Sequence, residues 1–481
     1  MLLRLTGFFT VMVGMVLGAG QAAYGDAPQL PRFEAVTTAE PFPVTVPDAF
    51  EATLGWLITA ENRDQPSARE IRLPVAIIHA RSATGKNPVV YLSGGPGTSA
   101  MNTAAYPGAY PWLEERDFIV IGQRGTQFAT PALMCPEYRT ALAAQADTVA
   151  AVRACKARLE ADGIDLSKYH SLASADDLDD LRTVLGLDAW SLYGGSYGTR
   201  LALVYAKKFG HRVESMVLDS PLPPNAIYDD ESARNLEHSL RLVARDCAQQ
   251  AACASAFPDL EQRFFQRLEE VARTPLQVEA AQDPVTAADL ASLIPLASAS
   301  GVRRAPLTMD RVARLDPELL ARLYAPAQAF DFAWGMRFSV WCSEALPFSL
   351  RYAADGPGDV LGGYESAAIH PELCRAWDVP ALNASVIEPV ISDIPTLIIA
   401  GEFDPLTPPK WGALAAKTLA RSRLVRVRGG SHASTQQWDG DGCAMALANA
   451  FLQAPEAFLE SDAHTACPVT PSAPDYQLPP E

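Results

Sequence analysis

Histidine is scarce in this chain, with seven in 481 residues, and none stands in a His-Glu-x-x-His spacing. Cys-x-x-Cys is missing as well, so the sequence carries neither of these zinc signatures and no metal or other cofactor is expected. Positive charge is also short. Lys and Arg number 39 against 56 Asp and Glu, giving a formal charge of −17, which argues against non-specific nucleic-acid binding or attraction to an anionic membrane. The acidity is read as a solvated surface. Beyond the N-terminus no stretch is long and apolar enough to cross a bilayer. Internal repeats and low-complexity linkers are lacking, so the length accommodates two or three domains, or one large α/β domain carrying an insertion.

The N-terminus itself reads as an export signal. Arg4 provides a positive start, Leu5 to Leu17 is almost wholly apolar, and Ala23-Tyr24-Gly25 supplies small residues for cleavage before Asp26. Residues 1–25 are therefore expected to be removed from a periplasmic or secreted protein. In such a compartment eight cysteines point to disulfides. Pairing neighbours is the simplest of many connectivities, because each bridge then closes a fairly local loop: Cys135 with Cys155, Cys247 with Cys253, Cys342 with Cys374, and Cys443 with Cys467.

After a Pro-rich arm from Asp26 to Asp48, read as lacking regular structure, Ala52 to Ile58 and Ile71 to His79 form a β-hairpin pattern. Pro88 to Leu92 and Asp117 to Ile121 are short apolar runs that end in Gly-rich loops, as parallel strands do at their carboxyl ends. Ser174 is placed as the cap of a helix over Ala175 to Leu185. Trp190 to Tyr193 and Ser215 to Asp219 continue the alternation, which specifies an α/β fold with a mainly parallel sheet. Residues 26–220 form the first part of this core. From 221 to 380 the texture becomes Ala-, Leu- and Arg-rich and helical, as in Ser232 to Ala252 and Leu260 to Val271, and reads as an insertion. Residues 381–481 return to the core, with strands at Pro395 to Ala400 and Leu424 to Arg428 and a helix from Gly442 to Phe451.

A serine hydroxyl attacks carbonyls only when a base, an orienting acid and oxyanion donors surround it. Gly194-Gly195-Ser196-Tyr197-Gly198 lies between an apolar run and a helical one, the strand–turn–helix context of a nucleophile elbow. That arrangement requires an acid and then a histidine in later loops. Asp404 in Gly401-Glu402-Phe403-Asp404-Pro405 and His432 in Gly430-Ser431-His432 satisfy the order. Five histidines precede Asp404, and His464 lies in the tail. Glu402 is taken as a solvated neighbour. The oxyanion donors are then the backbone amides of Tyr197 and, in the turn Ser93-Gly94-Gly95-Pro96-Gly97, of Gly95.

These segments, together with Gln123-Arg124-Gly125-Thr126 and Ser174-Ala175-Asp176-Asp177-Leu178-Asp179-Asp180-Leu181-Arg182, occur in an order that resembles the proline iminopeptidase and tripeptidyl aminopeptidase group of α/β-hydrolase serine peptidases. The resemblance extends over roughly residues 45–451 and is greatest for the secreted branch with a tripeptidyl-aminopeptidase-like C-terminal region. It implies an α/β-hydrolase fold, the triad Ser196, Asp404 and His432, and a helical lid that selects peptide substrates with a free N-terminus. Two positions depart from the pattern. Ser93 stands where a histidine is common, and Gly122 stands where an aspartate is common, which takes away an expected partner of Arg124. An aminopeptidase must also hold an ammonium group. Glu344 is the candidate, beside Trp341 in a stretch that includes Phe330, Phe332, Trp334 and Phe338; the alternative is that the aromatics pack a core and Glu344 is solvated or ion-paired. Ester hydrolysis by the same triad, and a non-catalytic binding protein with the same fold, are the competing functions. Oligomeric state is left open.

Overall fold

In the computed structural model, residues 30–37, 41–65, 69–278, 284–323, 332–350, 361, 369–437, 442–461 and 474–479 are described. The export segment, Phe330, His464 and Cys467 lie outside them. Nine strands form a single sheet. They are β1 (Arg32–Ala35), β2 (Ala52–Ala60), β3 (Glu70–Ile78), β4 (Val89–Leu92), β5 (Phe118–Ile121), β6 (Trp190–Gly195), β7 (Val213–Asp219), β8 (Thr396–Gly401) and β9 (Ser422–Val427). The spatial order is β1-β2-β3-β5-β4-β6-β7-β8-β9. The first three strands are joined antiparallel and β3 meets β5 antiparallel, while every pairing from β5 to β9 is parallel.

The central strands read as unbroken apolar runs because both faces of the sheet are covered. Val90, Leu192, Leu218 and Ile398 face one core, into which Leu178 and Leu181 of the helix Ser171–Val184 and Leu201 and Tyr205 of the helix Tyr197–Phe209 pack. Their neighbours Tyr91, Tyr193, Val217, Leu397 and Ile399 point the other way, against Leu447, Ala448 and Phe451 of the helix Cys443–Gln453. Two sequence expectations change here. The arm contains β1, whose Phe33 and Glu34 pair with Leu57 and Trp56. The helix expected from Ala175 begins four residues earlier, at Ser171, capped by the His170 ring, which accepts from the Ala173 amide, and Ser174 is buried inside it.

β7 and β8 are sheet neighbours although residues 220–395 separate them, and the described part of that span contains helices and no sheet strand. It packs in two pieces. Helices Ser232–Gln249, Leu260–Arg273 and Ala299–Ala313 enclose a core around Leu240, Phe264, Leu268 and Met309, which Phe403 and Tyr476 join from outside the span. Helices Trp334–Glu344 and Pro371–Trp377 instead pack on the excursion between β5 and β6, where Met336, Phe338 and Trp377 meet Tyr138, Cys155 and Tyr169. Disulfides Cys135–Cys155, Cys247–Cys253 and Cys342–Cys374 staple these outlying segments. Cys443 is disulfide-bonded as well, and its expected partner Cys467 lies outside the described residues.

The carboxyl edge of the parallel strands collects the loops named from the sequence: Ser93 to Gly97 after β4, Gln123 to Thr126 after β5, Ser196 after β6, Asp404 after β8 and His432 after β9. Gly122 does not leave Arg124 without a partner. Asp177 accepts from Arg124 Nε at 2.7 Å and from Nη2 at 2.6 Å, and it also accepts from Arg63. A side chain at 122 would meet the Pro74 ring at 2.7 Å, so glycine is required there by packing and the acid comes from the helix instead.

Candidate active site

Ser196 sits between the last residue of β6 and the first of its helix, at φ 56° and ψ −125°. A non-glycine residue in that region is strained, and the surroundings must hold it there. They do so from both sides. The Ser196 amide donates to the Asp219 carbonyl at 2.9 Å, and the Thr199 hydroxyl donates to the Ser196 carbonyl at 2.6 Å. The flanking glycines answer to close approach: a Cβ at Gly198 would lie 1.9 Å from the Leu92 carbonyl oxygen, and one at Gly194 would lie 2.6 Å from the Gly198 carbonyl oxygen. Tyr197 opens the helix, where an amide has no intrahelical acceptor. The Gly94 backbone passes so near that a Cβ there would fall 2.9 Å from the Ser196 Cβ, which brings the Gly95 turn against Ser196.

Asp404 and His432 meet across the loops that follow β8 and β9. Asp404 Oδ2 lies 2.9 Å from His432 Nδ1. The carboxylate is fully buried, and it accepts from the Leu406 amide at 2.8 Å, the Thr407 amide at 3.0 Å and the Thr407 hydroxyl at 2.7 Å. Burial by itself pushes its pKa up, but the His432 charge and hydrogen bond, together with the Thr407 donors, outweigh that and hold Asp404 below the usual carboxylate range. For His432, burial opposes protonation, while the charge and hydrogen bond of Asp404, aided by Asp219, raise the imidazole above its ordinary value of 6.5. With Nδ1 committed to Asp404, the neutral ring carries its free lone pair on Nε2. Ser196 makes no hydrogen bond to His432 among the described residues; in an unliganded site that contact is commonly long.

Asp219 joins these parts and was not singled out from the sequence. Its backbone carbonyl holds Ser196. Its carboxylate accepts from the Ser434 amide at 3.1 Å, the Thr435 amide at 2.8 Å and the Thr435 hydroxyl, while the adjacent Ser220 hydroxyl accepts from the Ala433 amide at 2.8 Å. Serine loop and histidine loop thus rest on the same strand end. Burial pushes Asp219 up to about 6, against the pull of its Thr435 donors and of His432. Its signal in the sequence was a carboxylate closing an apolar strand immediately before the serine and proline of Ser220-Pro221. Glu402, expected to be solvated, accepts from the Gly429 amide at 2.9 Å and ties the Asp404 loop to the end of β9.

Glu344 is placed differently from the amine-binding expectation. Its side chain is fully buried, and both oxygens are occupied: Oε1 accepts from the Ser171 amide at 2.9 Å and hydroxyl at 2.7 Å, and Oε2 accepts from Arg200 Nε at 3.1 Å. Arg200, itself buried, is the ion-pair partner of this enclosed carboxylate. Ser171 also hydrogen-bonds the Tyr197 hydroxyl at 2.8 Å, so Glu344 braces the residue after Ser196 and is not presented to a ligand. Of the aromatics, Trp334, Phe338 and Trp341 pack in the cluster with Tyr138 and Tyr197.

A family model described as alpha/beta hydrolase fold matches residues 87–435. The chain belongs to the alpha/beta hydrolase family. Among curated proteins this alpha/beta hydrolase is similar to serine protease Hip1 of Mycobacterium tuberculosis, 30% identical over 182 residues that cover 33% of this chain and 35% of the relative. It is also similar to tripeptidyl aminopeptidase of Streptomyces coelicolor, 28% identical over 190 residues covering 36% and 35%. The matched stretch is thus about a third of each relative's length. A solved proline iminopeptidase from Mycobacterium smegmatis is 16% identical with a TM-score of 0.42, over 82% of this chain and 97% of that one.

Proposed function

We propose that this alpha/beta hydrolase is an exported serine exopeptidase that releases residues from peptide N-termini through an acyl-enzyme. The observation that carries the reading is the buried Asp404–His432 pair, 2.9 Å apart, on the same sheet edge as a serine held at positive φ. The Ser196 oxygen attacks the scissile carbonyl carbon while His432 Nε2 takes its proton. The amides of Gly95 and Tyr197 stabilise the oxyanion. As the intermediate collapses the C–N bond breaks, and the imidazolium returns the proton to the departing amine. Water, deprotonated by His432, then attacks the acyl-enzyme, the Ser196 oxygen leaves and regains its proton, and the peptide acid is released. The outlying helices between β7 and β8 act as the lid, and an aminopeptidase is favoured over a general esterase by the peptidase names of both curated relatives. The three stapled loops support export, since such bridges persist in oxidising compartments.

Labelling with a fluorophosphonate probe, followed by turnover of mono-, di- and tripeptidyl nitroanilides beside short acyl esters, tests the reading. Wild type should label and Ser196→Ala should not, and free-amine peptides should be turned over in preference to N-blocked ones. Labelling without peptide turnover would make the protein an esterase. Absence of labelling in the wild type would make it a binding protein.

A further inference from the structure

The turn that supplies Gly95 is held at its ends by the core. The Ser93 hydroxyl donates to the Thr98 carbonyl at 2.9 Å, and Gln123 Nε2 donates to the Ser93 carbonyl at 3.0 Å. Its middle is held from elsewhere. The helix Trp334–Glu344 reaches the turn with its first residues: the Ala333 amide donates to the Gly97 carbonyl at 3.1 Å, and Arg337 Nη1 donates to the Gly95 carbonyl at 2.6 Å. Contact is close enough that a Cβ on Gly97 would lie 2.9 Å from the Ala333 carbonyl oxygen and 3.1 Å from the Phe332 ring.

Arg337 is an unusual tool for this purpose. It is only 7% exposed, and burial lowers its pKa, partly offset by Tyr228, Asp229 and Tyr138. The guanidinium stays charged at neutral pH because its ordinary value is so high. It is accommodated by rings, lying 5.3 Å from the centroid of Phe332, 5.5 Å from Trp341 and 6.0 Å from Trp334. A planar, weakly hydrated cation suits such an aromatic surround, whereas an ammonium would lose more hydration. Gly95 has φ 112°, a region open to glycine, and it precedes Pro96. A charge-assisted hydrogen bond to its carbonyl adds a further restraint on the turn.

We propose that Arg337 is a positioning residue of the oxyanion hole: from the helical insertion it clamps the Gly95 carbonyl, so that the amide of the same residue stays aimed at the developing oxyanion. The inference rests on the serine-hydrolase reading above. It makes the insertion part of the chemistry as well as a cover, because one side chain of a helix outside the sheet fixes the donor that the reaction needs. Among the described residues, neither Ser196 nor His432 hydrogen-bonds Arg337, so the clamp acts on the turn and not on the serine or the histidine directly.

The test compares wild type, Arg337→Met and Arg337→Lys, each titrated for active sites with a fluorophosphonate. Two further affinities are measured, for a peptidyl boronic acid that forms a tetrahedral adduct with the serine and for the released product peptide. Arg337→Met should lower kcat per active site by roughly 10- to 100-fold, below the loss for deleting a donor outright, on esters and amides alike. KM should stay within about threefold, boronate affinity should fall in parallel with kcat, and product affinity should hold. Arg337→Lys should recover part of the loss. Unchanged kcat per site, a loss confined to KM, or equal loss of boronate and product affinity would overturn the proposal. If the Met variant fails to fold, the Lys variant decides alone: wild-type kcat and boronate affinity there count against the clamp. Failure of the wild type to label would instead remove the serine-hydrolase reading, a result distinct from normal labelling with indifferent Arg337 variants.

Discussion

His432 is pulled in two directions, since burial favours the neutral ring while Asp404 and Asp219 favour the imidazolium, and the carboxylates win. Because the base must be neutral, the acidic limb of kcat/KM should lie above pH 6.5. Asp404→Asn should move that limb to lower pH and reduce kcat by roughly 10⁴-fold, as losing the orienting acid does in serine triads; a pH–rate profile measures both. Stability runs the opposite way. A histidine whose native pKa is raised contributes stability that is fully present below its unfolded value near 6.5 and lost as pH rises through the native value. In the inactive Ser196→Ala protein, therefore, the melting temperature should decline over the window in which the wild type gains activity, and His432→Gln should flatten that decline. The elbow glycines offer a second test at this scale. Gly198→Ala drives a Cβ into the Leu92 carbonyl and should cost about 3 kcal/mol or more. Gly195→Ala meets only the end of the Gln436 side chain at 3.6 Å and should stay within about 1 kcal/mol. Urea unfolding of the two variants makes the comparison.

Elements, as distinct from residues, were unevenly legible. The hairpin β2–β3 and the central strands announced themselves, because apolar runs bounded by turns have few other uses. β1 did not: four residues in a Pro-rich arm carry no period, and they become a strand only by pairing with the edge of β2. The helix start at Ser171 was hidden because its cap is a histidine ring, outside the usual Ser, Thr, Asp and Asn set. Glu344 is the most instructive case. Sequence placed an acid among aromatics, which suits an amine site and a buried ion pair equally, and only the packing of the helix Trp334–Glu344 onto Ser171 and Arg200 distinguishes them. Glu344→Gln should leave Arg200 buried without its counter-ion and cost about 3–5 kcal/mol. Free-amine peptides and N-blocked esters should lose activity equally. Adding Arg200→Met should recover part of the stability, read from a double-mutant cycle in urea.

At the scale of the molecule, one sheet edge serves as the assembly bench and the outlying helices dock on it in two groups. Loop closure gives those staples an order of importance. Cys342–Cys374 spans 32 residues and Cys247–Cys253 spans 6. Replacing the first pair by alanines should cost about 3–4 kcal/mol and the second about 2 kcal/mol, an order that thermal unfolding of the two double variants would reveal. The helical texture of 221–380 was readable from composition, yet its division between a set packed with Phe403 and Tyr476 and a set packed on the β5–β6 excursion was not, because helix amphipathicity specifies that a face is buried and not which surface buries it. The same distinction runs through the site. Sequence by itself determined the α/β class and the chain order of Ser196, Asp404 and His432, since local pattern and loop position are written residue by residue. Tertiary structure alone decided that Asp219 seats both the Ser196 turn and the loop carrying His432, that Glu344 is an internal counter-ion and that Arg337 grips Gly95, because each depends on groups tens to hundreds of residues apart meeting within hydrogen-bond distance.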